Sequence, residues 1–479
     1  MKTPPLFLSI FLAFSLLLMV TFQPALAAPI PTEDKAASTH FLSLADIHFD
    51  PFLSCLRQTP CPLIASLEQA PIQQWSGILA QYDHTQTRYS KDSNYLLLKS
   101  ALAAAQKAAR EEKAEFVVLL GDYLAHDFDL KYRRYSLHRG AKDYQRFVNK
   151  TLAFISEEIH QSLPGLPLYF IVGNNDSYTV DYGSDEQGQF FKDSGKLWSS
   201  FSVSAQDQKK LNIQFAKGGY YALNAPGNDK LRLIFLNSVL FSKKAVGKNT
   251  PQLAKAQLAW LDQELAATVK AKQQAFIFMH IPTGIDVYAS FLFPFSLEEF
   301  WKPEYTQPFL TEVKEHSSNL GGIFSGHLHA DTLQILNNGY FNEVPAIGTP
   351  SISPIFGNNP GFKIFSYYSA SGRLQNYATY FYSMDDKTWS KEYDFREVYQ
   401  KDGGQEALTA AIKRIEREGD LAKHYQIYYA LGGSQPITQN AKWNPFYWCA
   451  MHWPTANAYQ HCLDQGGSRL GFGLTKLRL

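Results

Sequence analysis

The chain has no surplus of either charge. Its 479 residues carry 45 Lys plus Arg against 44 Asp plus Glu, a formal net charge of +1. A neutral chain has no global electrostatic footprint for a nucleic acid or an anionic membrane. The first thirty residues hold one charged side chain, Lys2, and without them the two signs are equal. Cysteine is scarce, at four residues, and no internal repeat runs through the chain. No stretch is apolar for the roughly 20 residues that a bilayer span requires, which excludes a transmembrane anchor. Charged residues make up only 19% and hydrophobic ones 45%, so disorder is excluded and a substantial core is expected.

The longest apolar run is Leu6 to Val20, preceded by Met1-Lys2 and followed by Ala25-Leu26-Ala27. A charged start, an apolar centre and an A-x-A tripeptide make a secretory signal peptide over residues 1–27. The run is about 15 residues, too short for an anchoring helix. Residues 28–38 then read as a loose leader, and the mature protein is exported to the periplasm or the medium, or to a lysosome in a eukaryotic host. The cysteines agree with that destination. Cys55, Cys61, Cys449 and Cys462 form two sequence-local pairs, and an even count in an exported chain favours disulfides. Three pairings exist, and the local one is preferred here. The rival is a zinc cluster, although neither pair has the C-x₂₋₄-C spacing of a thiolate site.

From Phe41 onward apolar strands alternate with amphipathic helices. Strands are expected at 41–45, 116–120, 168–172, 231–236, 276–279 and 322–324, and helices at 94–113, 142–160, 251–270 and 304–317. That alternation is the mark of a layered α/β domain. After His329 the pieces turn strand-like, as at 362–368 and 374–381. From about Gly404 the chain becomes charged and helical. The expected boundaries are a catalytic domain at 39–400 and a helical C-terminal region with a disulfide at 401–479.

Five of the apolar strands end in residues able to bind metal. Asp46-Ile47-His48 follows the first, Gly121-Asp122 the second and Gly173-Asn174-Asn175-Asp176 the third. His280 follows another, and Gly326-His327-Leu328-His329 the last. In open α/β sheets the carboxyl ends of the strands converge on one edge, where ligands bind. In D-x-H and H-x-H, residues i and i+2 project to the same side. Seven donors can therefore gather: Asp46, His48, Asp122, Asn174, His280, His327 and His329. Taken singly each has an ordinary explanation, a turn or cap for the Asp residues and structural hydrogen bonds for the His residues. Their occurrence in order, at five strand ends, is what points to a metal centre.

This ordered set resembles the calcineurin-like metallophosphoesterase superfamily, and within it the acid sphingomyelinase-like phosphodiesterase branch. Gly121 to Asp127 (GDYLAHD) is similar to that branch's G-D-x-x-x-H-D block, His280 to Gly284 (HIPTG) to H-I-P-x-G, and Gly326 to Asp331 (GHLHAD) to G-H-x-H-x-D. Pro350 to Pro354 and Asn359 to Phe362 resemble two further segments, and the early and terminal Cys pairs fit as well. The resemblance spans roughly residues 39 to 465. It implies a four-layer β-sandwich flanked by helices, with a small helical C-terminal region, and a two-metal hydrolase. One ion would take Asp46, His48 and His329, the other Asn174, His280 and His327, with Asp122 bridging. Two divalent cations about 3.5–4 Å apart activate water and brace an in-line displacement at phosphorus. Mixed imidazole, carboxylate and amide donors favour Zn²⁺, with Fe or Mn as alternatives.

One position departs from the pattern. Many members carry His where this chain has Asn175, which can orient a phosphate by donating a hydrogen bond but cannot supply a proton. His126 then becomes the general-acid candidate. The rival reading makes it a cap or core His. The aromatic stretch 288–301 (YASFLFPFSLEEFW) reads either as a wall beside the metals facing a base or a lipid, or as a loop packed on the core. No Cys-rich lipid-presenting domain separates the signal peptide from the first strand. The expected substrate is therefore a soluble phosphoester, such as a nucleotide or polyphosphate. A sphingomyelin-like phospholipid at a lipid surface is the alternative. A catalytically silent phosphate- or metal-binding protein is the reading from another class.

Overall fold

In the computed structural model of the chain, the residues described are 1, 38–55, 58–184, 188–202, 204–292, 297–336, 339, 342–401, 407–415, 417–434 and 444–466. The chain divides into Met1–Ala36 and Ala37–Leu479, and the architecture below is that of the second unit. All but Met1 of the expected signal peptide and all but Ser38 of the leader lie outside the described residues, as do residues 293–296 of the aromatic stretch.

Two six-stranded sheets form the centre. One contains β1 (Ser38–Leu44), β2 (Ala114–Leu119), β3 (Leu168–Phe170), β10 (Gly361–Tyr368), β11 (Leu374–Ser383) and β12 (Thr388–Asp394). Its order is β12-β11-β10-β1-β2-β3. The three early strands run parallel and the three late ones antiparallel. The other contains β4 (Tyr221–Ala225), β5 (Asn228–Leu236), β6 (Gln274–Met279), β7 (Leu320–Ser325), β8 (Leu333–Leu336) and β9 (Val344–Gly348). Its order is β4-β5-β6-β7-β9-β8, with the four inner strands parallel and both edge strands antiparallel.

Alternating aromatic residues clamp the sheets face to face. Phe41 of β1 stacks on Phe116 and Phe365 of its own sheet at 5.1 and 5.0 Å. Across the gap it meets Phe278 and Phe324 edge-on at 5.8 and 5.4 Å. Phe278 in turn stacks on Phe235 and Phe324. Such pairs add about 0.5–1.5 kcal/mol each beyond their area burial. The period-2 alternation sends Ile234, Leu236, Ile277 and Met279 to the other face of the second sheet. There they cluster with Leu261 and Leu265 of the helix Thr250–Lys270, and with Phe309 and Val313 of the helix Pro303–Glu315. Helices Tyr95–Glu111 and Ala141–Ser162 flank the first sheet. The order helix, sheet, sheet, helix is the four-layer sandwich expected from the sequence.

The C-terminal helices Leu408–Ile415, Gly419–Tyr429, Asn444–His452 and Ala456–Gly466 pack against the same unit. Tyr428 stacks on Tyr393 of β12 at 4.4 Å, and Asp331 N donates to Tyr429 O at 2.8 Å. Beneath that contact lies a buried ion pair, Lys363 Nζ to Asp331 Oδ1 at 2.6 Å. Thr379 and Tyr393 hydroxyls both donate to Asp331 Oδ2. These bonds tie the loop after His329 to β10, β11, β12 and the last helices. Both disulfides pair locally, Cys55 with Cys61 and Cys449 with Cys462, the second joining the last two helices. Among the described residues no helix is long and apolar enough to cross a membrane.

Candidate metal centre

All five blocks meet at one edge of the sandwich, where β1, β2 and β3 of one sheet and β6 and β7 of the other deliver their carboxyl ends. The ladder loosens there without breaking: Asp46 N donates to Gly121 O and His48 N to Asp122 O. Asp46, His48, Asp122, His327 and His329 all take left-handed φ angles, between 43° and 71°. Non-glycine residues rarely do so, at a cost of order 1–3 kcal/mol each, and such strain gathers at functional sites. Close backbone approach supplies the rest of the geometry. A Cβ on Gly326 would lie 2.7 Å from Asp46 Oδ2, and one on Gly173 would collide with Asp122.

Asp122 sits between the two halves of the cluster. Its Oδ2 lies 3.4 Å from His48 Nε2 and 3.3 Å from His280 Nε2. On one side Asp46 Oδ1 and His48 Nε2 lie 3.5 and 3.1 Å from His329 Nε2. On the other, Asn174 Oδ1 is 3.0 Å from His280 Nε2. Ligand atoms of Asp122, His280 and His327 lie within 4.8 Å of one another, as do those of Asp46, His48 and Asp122. The structure thus brings together all seven candidate ligands.

Their hydrogen bonds fix which atoms point inward. His48 Nδ1 faces Leu124 O at 2.9 Å and His280 Nδ1 faces Leu120 O at 2.7 Å, so each Nδ1 carries the proton and each Nε2 is turned to the centre. Asn174 gives its amide N–H to Asp181 Oδ1, which turns its oxygen inward. Acceptors therefore face acceptors across gaps of 3.0–3.4 Å, around two buried carboxylates. Such a cluster needs positive charge inside it. Without metal, protons must supply it. Burial opposes the charged form of His280, yet Asp122 outweighs burial and lifts it to about 9. Burial pushes Asp46 up to about 7, against the pull of His280. Burial and the charge of His126 drop His48 to about 4, leaving its lone pair free. The donor set fits divalent cations of the imidazole- and carboxylate-binding kind.

Asn175, the expected phosphate contact, lies against the bridging candidate Asp122. Its backbone and side-chain N–H groups donate to Asp122 Oδ1 and Oδ2, both at 2.8 Å. His126 stands beside the centre, stacked on His48 at 4.1 Å. Its Nδ1 is held by Asp92 Oδ1 at 2.9 Å, and Asp92 Oδ2 accepts from His126 N. Burial pulls His126 down, but the bond to Asp92 more than offsets it and the net direction is up. Lys131 and Ser353 also donate to Asp92; burial pushes its carboxyl up, but the hydrogen bond from His126, helped by nearby positive charge, holds it at about 2.

Sequence reasoning missed several of these supports. Asp176 accepts four backbone N–H groups, from Asp122, Tyr123, Leu124 and Gly173, and so stitches the end of β2 to the end of β3. Its place as fourth letter of the Gly173–Asp176 block was the available signal. Asp92 and Asp181 carried none. A cavity of about 610 Å³ opens from the centre and runs to the C-terminal helices. His126, His327 and His329 line it near the centre, and Tyr425, Tyr429, Tyr447 and Met451 at the far end. Tyr288 and Phe300, from the aromatic stretch, line it too, so the described part of that stretch holds residues beside the site as well as the core residue Trp301.

Residues 39–331 match the family model described as calcineurin-like phosphoesterase. The chain belongs to that family. It is a metallophosphoesterase, from a family built on a dinuclear metal centre. A sphingomyelinase phosphodiesterase D from Dictyostelium discoideum is 26% identical over 71% of this chain and 74% of its own. An acid sphingomyelinase-like phosphodiesterase 3b from Mus musculus is 23% identical over 90% and 91%. A cyclic GMP-AMP phosphodiesterase from Rattus norvegicus is 22% identical over 92% and 96%.

Proposed function

We propose that the protein is an exported binuclear hydrolase of phosphodiester or phosphoanhydride bonds in soluble, nucleotide-like substrates. The observation that carries this reading is Asp122 Oδ2 placed between His48 Nε2 and His280 Nε2, at the mouth of a cavity that also holds His126. Asp46, His48 and His329 would hold one ion and Asn174, His280 and His327 the other, with Asp122 shared. When bound, two such cations make water nucleophilic near neutral pH and offset charge on the phosphoryl oxygens. The chain's own residues do the remainder. Asp92 fixes the tautomer of His126 by accepting from Nδ1, which leaves Nε2 to give a proton to the departing oxygen. Asn175 and Asp176 hold Asp122 and its backbone in place.

The lining of the cavity supports the nucleotide-like reading. Among its described lining residues Lys244 is the one Lys or Arg, and Asp181 and Asp286 add negative charge. A long polyphosphate needs more cations than that along its path, whereas a diester or diphosphate of a ring-bearing alcohol meets aromatic surface. The relatives named for cyclic GMP-AMP and for sphingomyelin support a diesterase of either kind. The aromatic lining is also what an alkylammonium headgroup would meet, so a sphingomyelin-like lipid remains the second reading. The two disulfides support the export reading.

The deciding experiment uses the secreted protein with two equivalents of Zn²⁺. It follows turnover of a dinucleotide, of ATP and of sphingomyelin in detergent micelles, with Asp122→Asn as blank. Metal content of about two per chain and turnover of the nucleotides ahead of the lipid is the expected result. Full activity after exhaustive chelation would sink the metal reading, and lipid turnover alone the substrate reading.

A further inference from the structure

Phe356 sits in the turn Pro354–Gly357, closed by Gly357 N donating to Pro354 O at 3.2 Å. Both flanks are fixed. Ser353 N donates to Asp46 O and Ser353 Oγ to Asp92 Oδ1 on one side, and Ser434 N to Gly357 O on the other. A phenyl ring on so braced a turn is nevertheless 54% exposed. Scattered exposed apolar residues are ordinary and need no explanation. This one differs in what it touches. Its ring meets His126 edge-to-face at 5.5 Å and His329 at 4.7 Å, and it lines the cavity.

We propose that Phe356 is the platform of a leaving-group subsite, which selects phosphodiesters whose leaving alcohol carries an aromatic ring. The proposal rests on the phosphodiesterase reading above, with His126 as the acid. In hydrolysis, the oxygen of water bonds to phosphorus on the side opposite the leaving oxygen, the water gives up a proton to solvent, and the phosphorus–oxygen bond to the leaving group breaks. The leaving oxygen then takes a proton from His126 Nε2. A group that departs within reach of that nitrogen lies against the ring that packs on the same imidazole. Tyr288, itself 53% exposed, adds a second aromatic surface to the cavity. Apolar side chains left open to water at a site gain most from a flat ring that covers them, and stacking of this kind tolerates different bases.

The test compares methyl, benzyl and cyclohexylmethyl esters of one nucleoside 5′-phosphate on the secreted, Zn²⁺-loaded enzyme. Their leaving alcohols have nearly equal acidity, so differences report contact rather than chemistry. Phe356→Ala should lower kcat/KM about tenfold more for the benzyl ester than for the methyl ester. Phe356→Trp should restore the benzyl value, and inhibition by inorganic phosphate should be unchanged in both variants. Equal losses on methyl and benzyl esters overturn the subsite. A loss on the cyclohexylmethyl ester as large as that on the benzyl ester overturns its preference for a ring. If the wild-type enzyme with two metals bound turns over none of the three, the phosphodiesterase reading itself fails, which is a different outcome from either.

Discussion

Replacing Asp176 by Asn tests whether the site is built from the second layer inward. Oδ1 accepts from Tyr123 N and Leu124 N at 2.9 and 3.2 Å, and Oδ2 from Asp122 N and Gly173 N at 2.8 and 2.9 Å. An amide has the same shape but only one acceptor oxygen. Whichever way it turns, two buried backbone N–H groups face an NH₂ instead of a lone pair. Each unsatisfied donor costs about 1–3 kcal/mol, so the substitution should destabilise by about 2–6 kcal/mol. Part of that is offset, because burial and the charge of Asp122 already push the Asp176 carboxyl up to about 7. The lower half of the range is therefore expected, against a typical total of about 5–15 kcal/mol. Urea unfolding of the metal-free protein reads the loss, and metal content after dialysis reads the site. We expect a lower midpoint together with weaker retention of metal, since the backbone that carries Asp122 is released. A variant as stable as wild type, within about 0.5 kcal/mol, and holding two metals would refute the claim that Asp176 sets the geometry of Asp122.

Three further outcomes follow from the same contacts. Asp92 has a folded-state pKa of about 2, below its ordinary value, so the stability it contributes is present above about pH 4 and lost as pH falls toward 2. That contribution is about 2 kcal/mol, roughly half of it lost by pH 3, and in Asp92→Asn the difference in stability between pH 6 and pH 3, measured by urea unfolding without metal, should shrink by about 1 kcal/mol. Gly326→Ala should leave the secondary structure intact but weaken metal retention at least tenfold, because its Cβ would press on Asp46 Oδ2; unchanged metal content by elemental analysis would contradict this. Phe41→Ala should cost about 3–5 kcal/mol, the usual range for a fully buried aromatic, and lower the thermal midpoint without altering metal content.

The parts of this molecule that were legible in its sequence are those in which one periodicity or one motif is sufficient. Phe116 to Leu120 could only be a buried strand, and Asn94 to Lys113 only a helix, whose Asn94 cap indeed accepts from Leu97 N. The ordered blocks located all seven candidate ligands, because each is fixed at a strand end by local spacing. Short or charged helices were not legible. Phe128–Tyr135 buries just Phe128 and Tyr132, and Gln189–Ser199 lies between stretches without periodic pattern. Partners far apart in the chain were equally silent. Asp92 reaches His126 across 34 residues and Asp331 reaches Tyr393 across 62, and nothing in local spacing announces either. The bonds from Asn175 to Asp122 were silent too, since only packing sets them.

The cluster also has a mechanical meaning. Asp46, His48, Asp122 and Asn174 belong to one sheet, and His280, His327 and His329 to the other. Each proposed ion would therefore draw ligands from both sheets, whose contact at the core is mostly aromatic, with the Tyr221 hydroxyl bonded to the Phe170 backbone and the Ser43 hydroxyl to Thr349. The ions would act as a clasp across the seam. Filling the site would lock the two halves of the sandwich in the alignment that brings His126 beside His329, and emptying it would loosen that edge first. Amide exchange at the ends of β1, β2, β6 and β7 should then slow on metal loading while the opposite edge stays unchanged. Seen this way, a cell that starves the protein of metal would disable it and loosen its structure at the same place.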